Sequence, residues 1–168
     1  GNNYQFFSQE MRKISQERLY MENELRKALE LDQFELHYQP QVNLSSGKII
    51  GVEALIRWNH PEMGLVPPLK FIPLAEETGL IVPVGEWVLK TACLHNKQLM
   101  EERGESLILA VNLSARQFKD YDLVNCIAGI LHETEYAPEL LELEITESLL
   151  MENMEDVANT LNILSDQG

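Results

Sequence analysis

Glu53 lies in the run Val52-Glu53-Ala54-Leu55-Ile56-Arg57-Trp58. Strand alternation puts Val52, Ala54, Ile56 and Trp58 on one face and Glu53, Leu55 and Arg57 on the other. Both faces are largely apolar, so the strand is expected to be buried on both sides, where a carboxylate is costly unless it is paired or holds a cation. Arg57 is the nearest candidate partner, but four residues along a strand separate the backbones by ~13 Å, too far for a tight contact. A functional Glu53 is the better reading. The run Leu107-Ile-Leu-Ala-Val-Asn112 is apolar until its last residue. Asn112 reads either as a turn or cap residue or as a functional amide, and Ser114 could cap a following helix. In Leu140-Leu-Glu-Leu-Glu-Ile-Thr-Glu147 the leucines and Ile145 face one way, and Glu142, Glu144 and Thr146 the other. The acidic side is either the solvated face of an edge strand or a set in which Glu144 points into the mouth of a barrel. Together, Glu53, Asn112 and Glu144 would offer oxygen ligands at the ends of three strands. That donor set suits Mg²⁺ or Mn²⁺ and not a thiolate zinc site.

The elements that must position these residues follow from periodicity. Phe34–Val42 and Lys48–Trp58 are two strand-like runs separated by Asn43-Leu-Ser-Ser-Gly47, which predicts an antiparallel hairpin. Helices are expected near Leu69–Thr78, with proline at the start and Gly79 at the stop, and over Val84–Arg103, ended by Gly104. Strand Ser106–Leu113, helix Tyr121–Thr134, strand Leu140–Thr146 and helix Met154–Gln167 then alternate, which argues for a parallel α/β sheet. A (β/α)8 barrel takes about 250 residues, and residues 34–168 supply about half of one. A half barrel would leave the Leu140–Thr146 strand unpaired and the inner faces of Leu109 and Val111 open, which predicts self-association. Ahead of them, a helix over Ser8–Leu31 carries Phe7, Met11, Ile14, Arg18, Met21, Leu25 and Ala28 at heptad spacing. It reads equally as a helix lying on its own domain or as a dimeric coiled coil. The domain boundary falls near Asp32-Gln33, giving a helical linker over 1–32 and a catalytic-type domain over 33–168.

Composition excludes several classes. The net charge of −14 lies almost entirely beyond residue 33, because residues 1–33 hold five basic and six acidic side chains. Such a surface repels duplex DNA or RNA, and repels phosphate ligands unless cations or placed arginines intervene. There is no apolar run of about 18 residues and no charged-then-apolar leader, so the expected location is cytoplasmic, with any membrane anchoring left to upstream segments. Cys93 and Cys126 lie in helix-like apolar patterns without metal spacing and read as buried thiols.

In order and spacing, Glu53-Ala-Leu55 with Ile-Arg-Trp58, then Asn112-Leu-Ser114, then Glu144-Ile-Thr-Glu147 resembles the EAL domain family. Tyr38-Gln-Pro40, Phe71-Ile-Pro-Leu-Ala-Glu-Glu-Thr-Gly-Leu-Ile81 and Glu86-Trp-Val-Leu89 extend the likeness across residues 34–168. The resemblance implies a modified (β/α)8 barrel with an antiparallel first strand. It implies hydrolysis of cyclic di-GMP to linear pGpG with two divalent cations, Mg²⁺ or Mn²⁺, in bacterial second-messenger signalling. Glu53, Asn112 and Glu144 would be metal ligands, with Glu53 directly catalytic. Gln39 and Arg57 would contact substrate and Leu55 would wall the nucleotide. Glu147 would steady a mobile active-site loop. The family's paired aspartates, its lysine and its later glutamate follow the point where this sequence stops, so this length alone is expected to be inactive. The long first helix is similar to linkers that follow a diguanylate-cyclase-like GGDEF domain. An upstream GGDEF or sensor domain and a homodimer are the expected partners. A receptor that binds cyclic di-GMP without cleaving it, or a dimerising regulator, is the rival reading.

Overall fold

The computed structural model describes residues 9–120, 122–145 and 154–166. Helix α1 spans Gln9–Glu30. Of its seam, Leu25 and Ala28 are fully buried and Met21 packs against the core, whereas Met11 and Ile14 are 46% and 60% exposed. Phe7 lies outside the described residues. The C-terminal half of α1 therefore lies on its own domain, and the one polar seam residue, Arg18, pairs with Glu77 of the neighbouring helix.

Strands β1 (Phe34–Val42) and β2 (Ile49–His60) form the expected hairpin, with Phe34 opposite Trp58 and Gln39 opposite Glu53. Its turn is closed by Asn43, whose side-chain oxygen accepts from the amides of Ser45 and Ser46 at 3.0 Å each. Gly51 has no alternative, because a Cβ there would lie 2.8 Å from the Ile108 carbonyl oxygen. The sheet continues in parallel from β2 to β4 (Ile108–Leu113) and from β4 to β5 (Leu141–Ile145), in the order β1-β2-β4-β5. The sheet is thus mixed, parallel except where β1 and the short β3 (Gly64–Val66) join β2. This is the first part of a barrel with an antiparallel first strand.

Strand β2 runs two residues beyond the expected Trp58. The Asn59 amide donates to the Gln33 carbonyl at 2.8 Å, and β3 (Gly64–Val66) pairs with Trp58–His60. Helix α2 (Pro68–Thr78) starts on its proline and stops at Gly79, which adopts a left-handed conformation. Helix α3 (Ile81–Arg103) begins three residues before the expected Val84, and Pro83 fits because a first-turn residue needs no intrahelical N–H bond. Helices α4 (Ala115–Asp120), α5 (Leu123–Thr134) and α6 (Met154–Asp166) follow among the described residues, with a 3-10 turn at Pro138–Leu140 before β5.

The core lies between the sheet and α1–α3. Phe34 centres an aromatic cluster with Trp58, Phe71 and Trp87, at ring-centroid distances of 6.1, 5.9 and 5.8 Å. One sequence expectation needs correction. Leu109 and Val111 were expected to be left open on the inner face of an incomplete barrel, yet they are 0% and 1% exposed. The register explains this: Val52 pairs with Leu109 and Ala54 with Val111, so these residues share the helix-covered face. The inner face of β4 carries Ala110 and Asn112 instead.

Candidate active site

The face opposite the helices collects the sequence-predicted residues. Gln39 faces Glu53 across the hairpin, and Leu55 and Arg57 follow Glu53 at the alternate positions of β2. Glu53 pairs with Ala110, and Asn112, two residues further, pairs with Glu144. Side chains directly opposed across strands share a face, so Gln39, Glu53, Leu55, Arg57, Asn112 and Glu144 form one surface. Glu147 lies outside the described residues.

The two readings of Asn112 separate here. Its Nδ2 donates to Glu53 Oε1 at 2.7 Å, so the side chain reaches across to β2 and does not cap a turn. Ser114 does the capping: its hydroxyl lies 3.4 Å from the Gln117 amide, and its own amide donates to Gln117 Oε1 at 3.0 Å. Gln117 is itself buried against α3, where a Cβ at Gly85 would overlap its side-chain amide. This fixes where β4 turns into α4, and with it the end of the strand that carries Asn112.

Charge on this face is uncompensated. Burial pushes the Glu144 carboxyl above the usual carboxylate range, and the neighbouring Glu53 and Glu142 push it further. Glu142 faces the same way, opposite Ala110. Among the described residues no three His, Cys, Asp or Glu side chains converge into a metal cluster by themselves. The set Glu53, Asn112 and Glu144 nevertheless fits a hard divalent cation. Two carboxylates and an amide stand on adjacent strands, their like charges unrelieved, and all their donors are oxygens. The Asn112–Glu53 bond engages the amide nitrogen and leaves Asn112 Oδ1 for such an ion.

Beside these residues a cavity of about 260 Å³ opens between β2, α2 and α3, lined by Leu55, Arg57, Ile72, Glu76 and Val84 with Asn112 at its edge. Its walls are mostly apolar. Arg57 donates from Nη1 to the Ile56 carbonyl at 2.9 Å, and no carboxylate pairs with it among the described residues. The sequence reading missed two further residues of this face, Glu35 opposite Arg57 and His37 opposite Leu55. The alternation Glu35-x-His37-x-Gln39, polar against the apolar Phe34, Leu36 and Tyr38, was the signal that could have found them.

The cysteines are not part of the site. Burial pushes the Cys93 thiol up to about 12, and burial with Glu86 and Asp122 pushes that of Cys126 up to about 11. Cys93 is buried as expected, whereas Cys126 is only half-buried, and thiols raised in this way are poor nucleophiles and poor ligands.

A mixed sheet whose parallel strands end in oxygen donors beside an apolar cavity is the arrangement of a (β/α)-barrel site, which forms at the C-terminal ends of the strands. The chain belongs to the EAL domain family, whose model matches residues 22–168. It is 44% identical over 167 residues to the bifunctional diguanylate cyclase/cyclic di-GMP phosphodiesterase MucR of Pseudomonas aeruginosa, covering 99% of this chain and 24% of MucR. It is 42% identical over 164 residues to the cyclic di-GMP phosphodiesterase PdeR of Escherichia coli, covering 96% of this chain and 24% of PdeR. The solved PaMucR phosphodiesterase in complex with c-di-GMP superposes with a TM-score of 0.84 at 45% identity, over 89% of this chain and 60% of that one. The chain thus spans about a quarter of the length of these curated relatives.

Proposed function

We propose that the protein to which this chain belongs hydrolyses cyclic di-GMP to linear pGpG, and that the face described above is the first part of its active site. The observation that carries this reading is the Asn112–Glu53 bond at 2.7 Å beside Glu144, which assembles oxygen donors from three adjacent strands. The complexes and names of the relatives supply the substrate class.

In this reading Glu53, Asn112 and Glu144 hold divalent cations, Mg²⁺ or Mn²⁺. When bound, these supply neutralisation of phosphate charge and a more acidic water. Arg57 grips a phosphate as a planar fork of donors. Gln39 hydrogen-bonds the substrate, and Leu55 with the apolar cavity receives a base, where water exclusion strengthens each polar contact. Glu147 steadies a loop over the site, a role that rests on the resemblance alone. Residues 1–32 act as a linker from an upstream GGDEF or sensor domain, an arrangement that MucR's bifunctional name supports. The protein works in the cytoplasm, as a homodimer, without binding duplex nucleic acid.

The test is Glu53→Ala in the full-length protein, assayed for conversion of cyclic di-GMP to pGpG with Mg²⁺. Loss of at least a thousandfold in turnover is expected, with the thermal melt preserved, because a ligand serves both binding and chemistry. Turnover near the wild-type rate would sink the ligand assignment.

A further inference from the structure

We infer that His37 contacts the bound dinucleotide through a phosphate oxygen, and that Glu35 is the positioning residue that aims it. This rests on the reading of the face as a cyclic di-GMP site.

Strand β1 runs antiparallel to β2, so Glu35, His37 and Gln39 stand opposite Arg57, Leu55 and Glu53 in turn. Directly opposed residues of an antiparallel pair have Cβ atoms about 4.5–5.5 Å apart. A ligand resting on Leu55 and reaching Arg57 is therefore within side-chain range of His37. The opposite face of β1 is accounted for by packing, since Phe34 is buried and Leu36 and Tyr38 lie against the core. The polar face has no such packing role.

Charges that merely keep a strand soluble need no fixed orientation, but these have one. His37 Nε2 lies 2.9 Å from Glu35 Oε1, with both side chains about half exposed. The ring is thereby oriented, with Nδ1 left without a partner among the described residues. The choice of partner matters as much. Glu35 sits directly across from Arg57, where a cross-strand ion pair would be easy, yet its hydrogen bond is with His37. The carboxylate that could have quenched the Arg57 fork is thus turned along its own strand. Arg57 and His37 Nδ1 then stand on neighbouring rungs within reach of one anionic ligand, with Leu55 between them as the apolar floor. When the imidazole is protonated, Nδ1 donates to a phosphate oxygen, a charge-assisted hydrogen bond.

Steady-state hydrolysis of cyclic di-GMP by the full-length protein tests this. His37→Ala is expected to raise KM about tenfold with kcat within about twofold, the loss of one charge-assisted contact made in ground and transition state alike. Glu35→Ala should raise KM less, and Glu35→Gln should stay near wild type, because an amide oxygen still accepts from Nε2. Arg57→Ala serves as the control for the site itself. A His37→Ala enzyme whose KM stays within about twofold of wild type, while Arg57→Ala raises KM, overturns the inference and leaves the site reading standing. A fall in kcat with KM unchanged overturns it as well. Wild-type protein that neither binds nor cleaves cyclic di-GMP overturns the site reading, and the inference with it. His37 is 51% exposed in its side chain, so folding is not at stake, and His37→Gln gives the same readout in a second variant.

Discussion

Glu144 carries the electrostatic cost of the site in a measurable form. Its carboxyl is raised above the usual range by burial and then by Glu53 and Glu142, so the folded chain binds a proton more tightly than the unfolded one. Stability is then greatest where the carboxyl is protonated in both states and falls as pH rises through the raised value. Glu144→Gln removes that loss. It is expected to stabilise the chain by about 0.5 kcal/mol at pH 7, the relief of a partly buried carboxylate whose repulsion by Glu53 and Glu142 is screened by solvent, and to have little effect near pH 4. Mg²⁺ should invert the order, stabilising the natural chain by linkage and the variant less. Urea denaturation between pH 4 and 8, with and without millimolar MgCl₂, measures both. An equal Mg²⁺ effect on the two chains would remove Glu144 from the ligand set. Of the three oxygen donors, Glu53 was legible in the sequence because it interrupts an apolar strand, where a polar group needs a reason, whereas Asn112 and Glu144 kept a turn reading and an edge-strand reading and were picked out by the family resemblance. Glu35 and His37 were not legible in this way, because polar residues on one face of an edge strand are ordinary. Only the register showed them to be opposite Arg57 and Leu55.

Among the elements, the joint between α1 and the end of β2 is where polar groups bear most weight. His60 is 1% exposed; its Nδ1 accepts from the amides of Glu62 and Met63 at 3.1 Å each, and its Nε2 lies 3.3 Å from Glu24 of α1. Its ring also packs edge-on against Trp58 at 5.4 Å. His60→Ala would orphan two backbone donors and open a gap beside the aromatic cluster, so a loss of about 2–4 kcal/mol is expected. Arg18→Ala breaks only a half-exposed ion pair with Glu77 and should cost less than about 1 kcal/mol. Urea unfolding of both variants compares them, and equal losses would show that α1 is held by its ion pair and not by the buried histidine. Long periodic elements were readable in advance: the hairpin, the helices expected over 69–78 and 121–134 and found over 68–78 and 123–134, and the alternation after them. The three-residue β3 and six-residue α4 were not, because neither is long enough to display a period. Their existence follows from pairing with β2 and from the Ser114–Gln117 cap.

At the scale of the molecule, the described sheet has two unpaired edges, since β1 pairs only with β2 and β5 only with β4. Open edges offer rows of free N–H and C=O groups to a second chain. An exposed apolar interior was the other reason to expect association, and it is weaker than the sequence implied. The inner face carries Glu53, Ala110, Asn112, Glu142 and Glu144, while Leu109 and Val111 lie under the helices. Strand pairing must therefore drive association against acidic repulsion, which salt screens within about 10 Å at 0.1 M. The 168-residue chain is expected to form a two-fold dimer at micromolar concentration in 0.15 M salt, and to dissociate as ionic strength falls to about 0.01 M. Sedimentation velocity at the two salt concentrations measures this. A compact monomer at both would mean that the edges are covered from within the chain. Dissociation on raising the salt would instead place charge pairs at the interface.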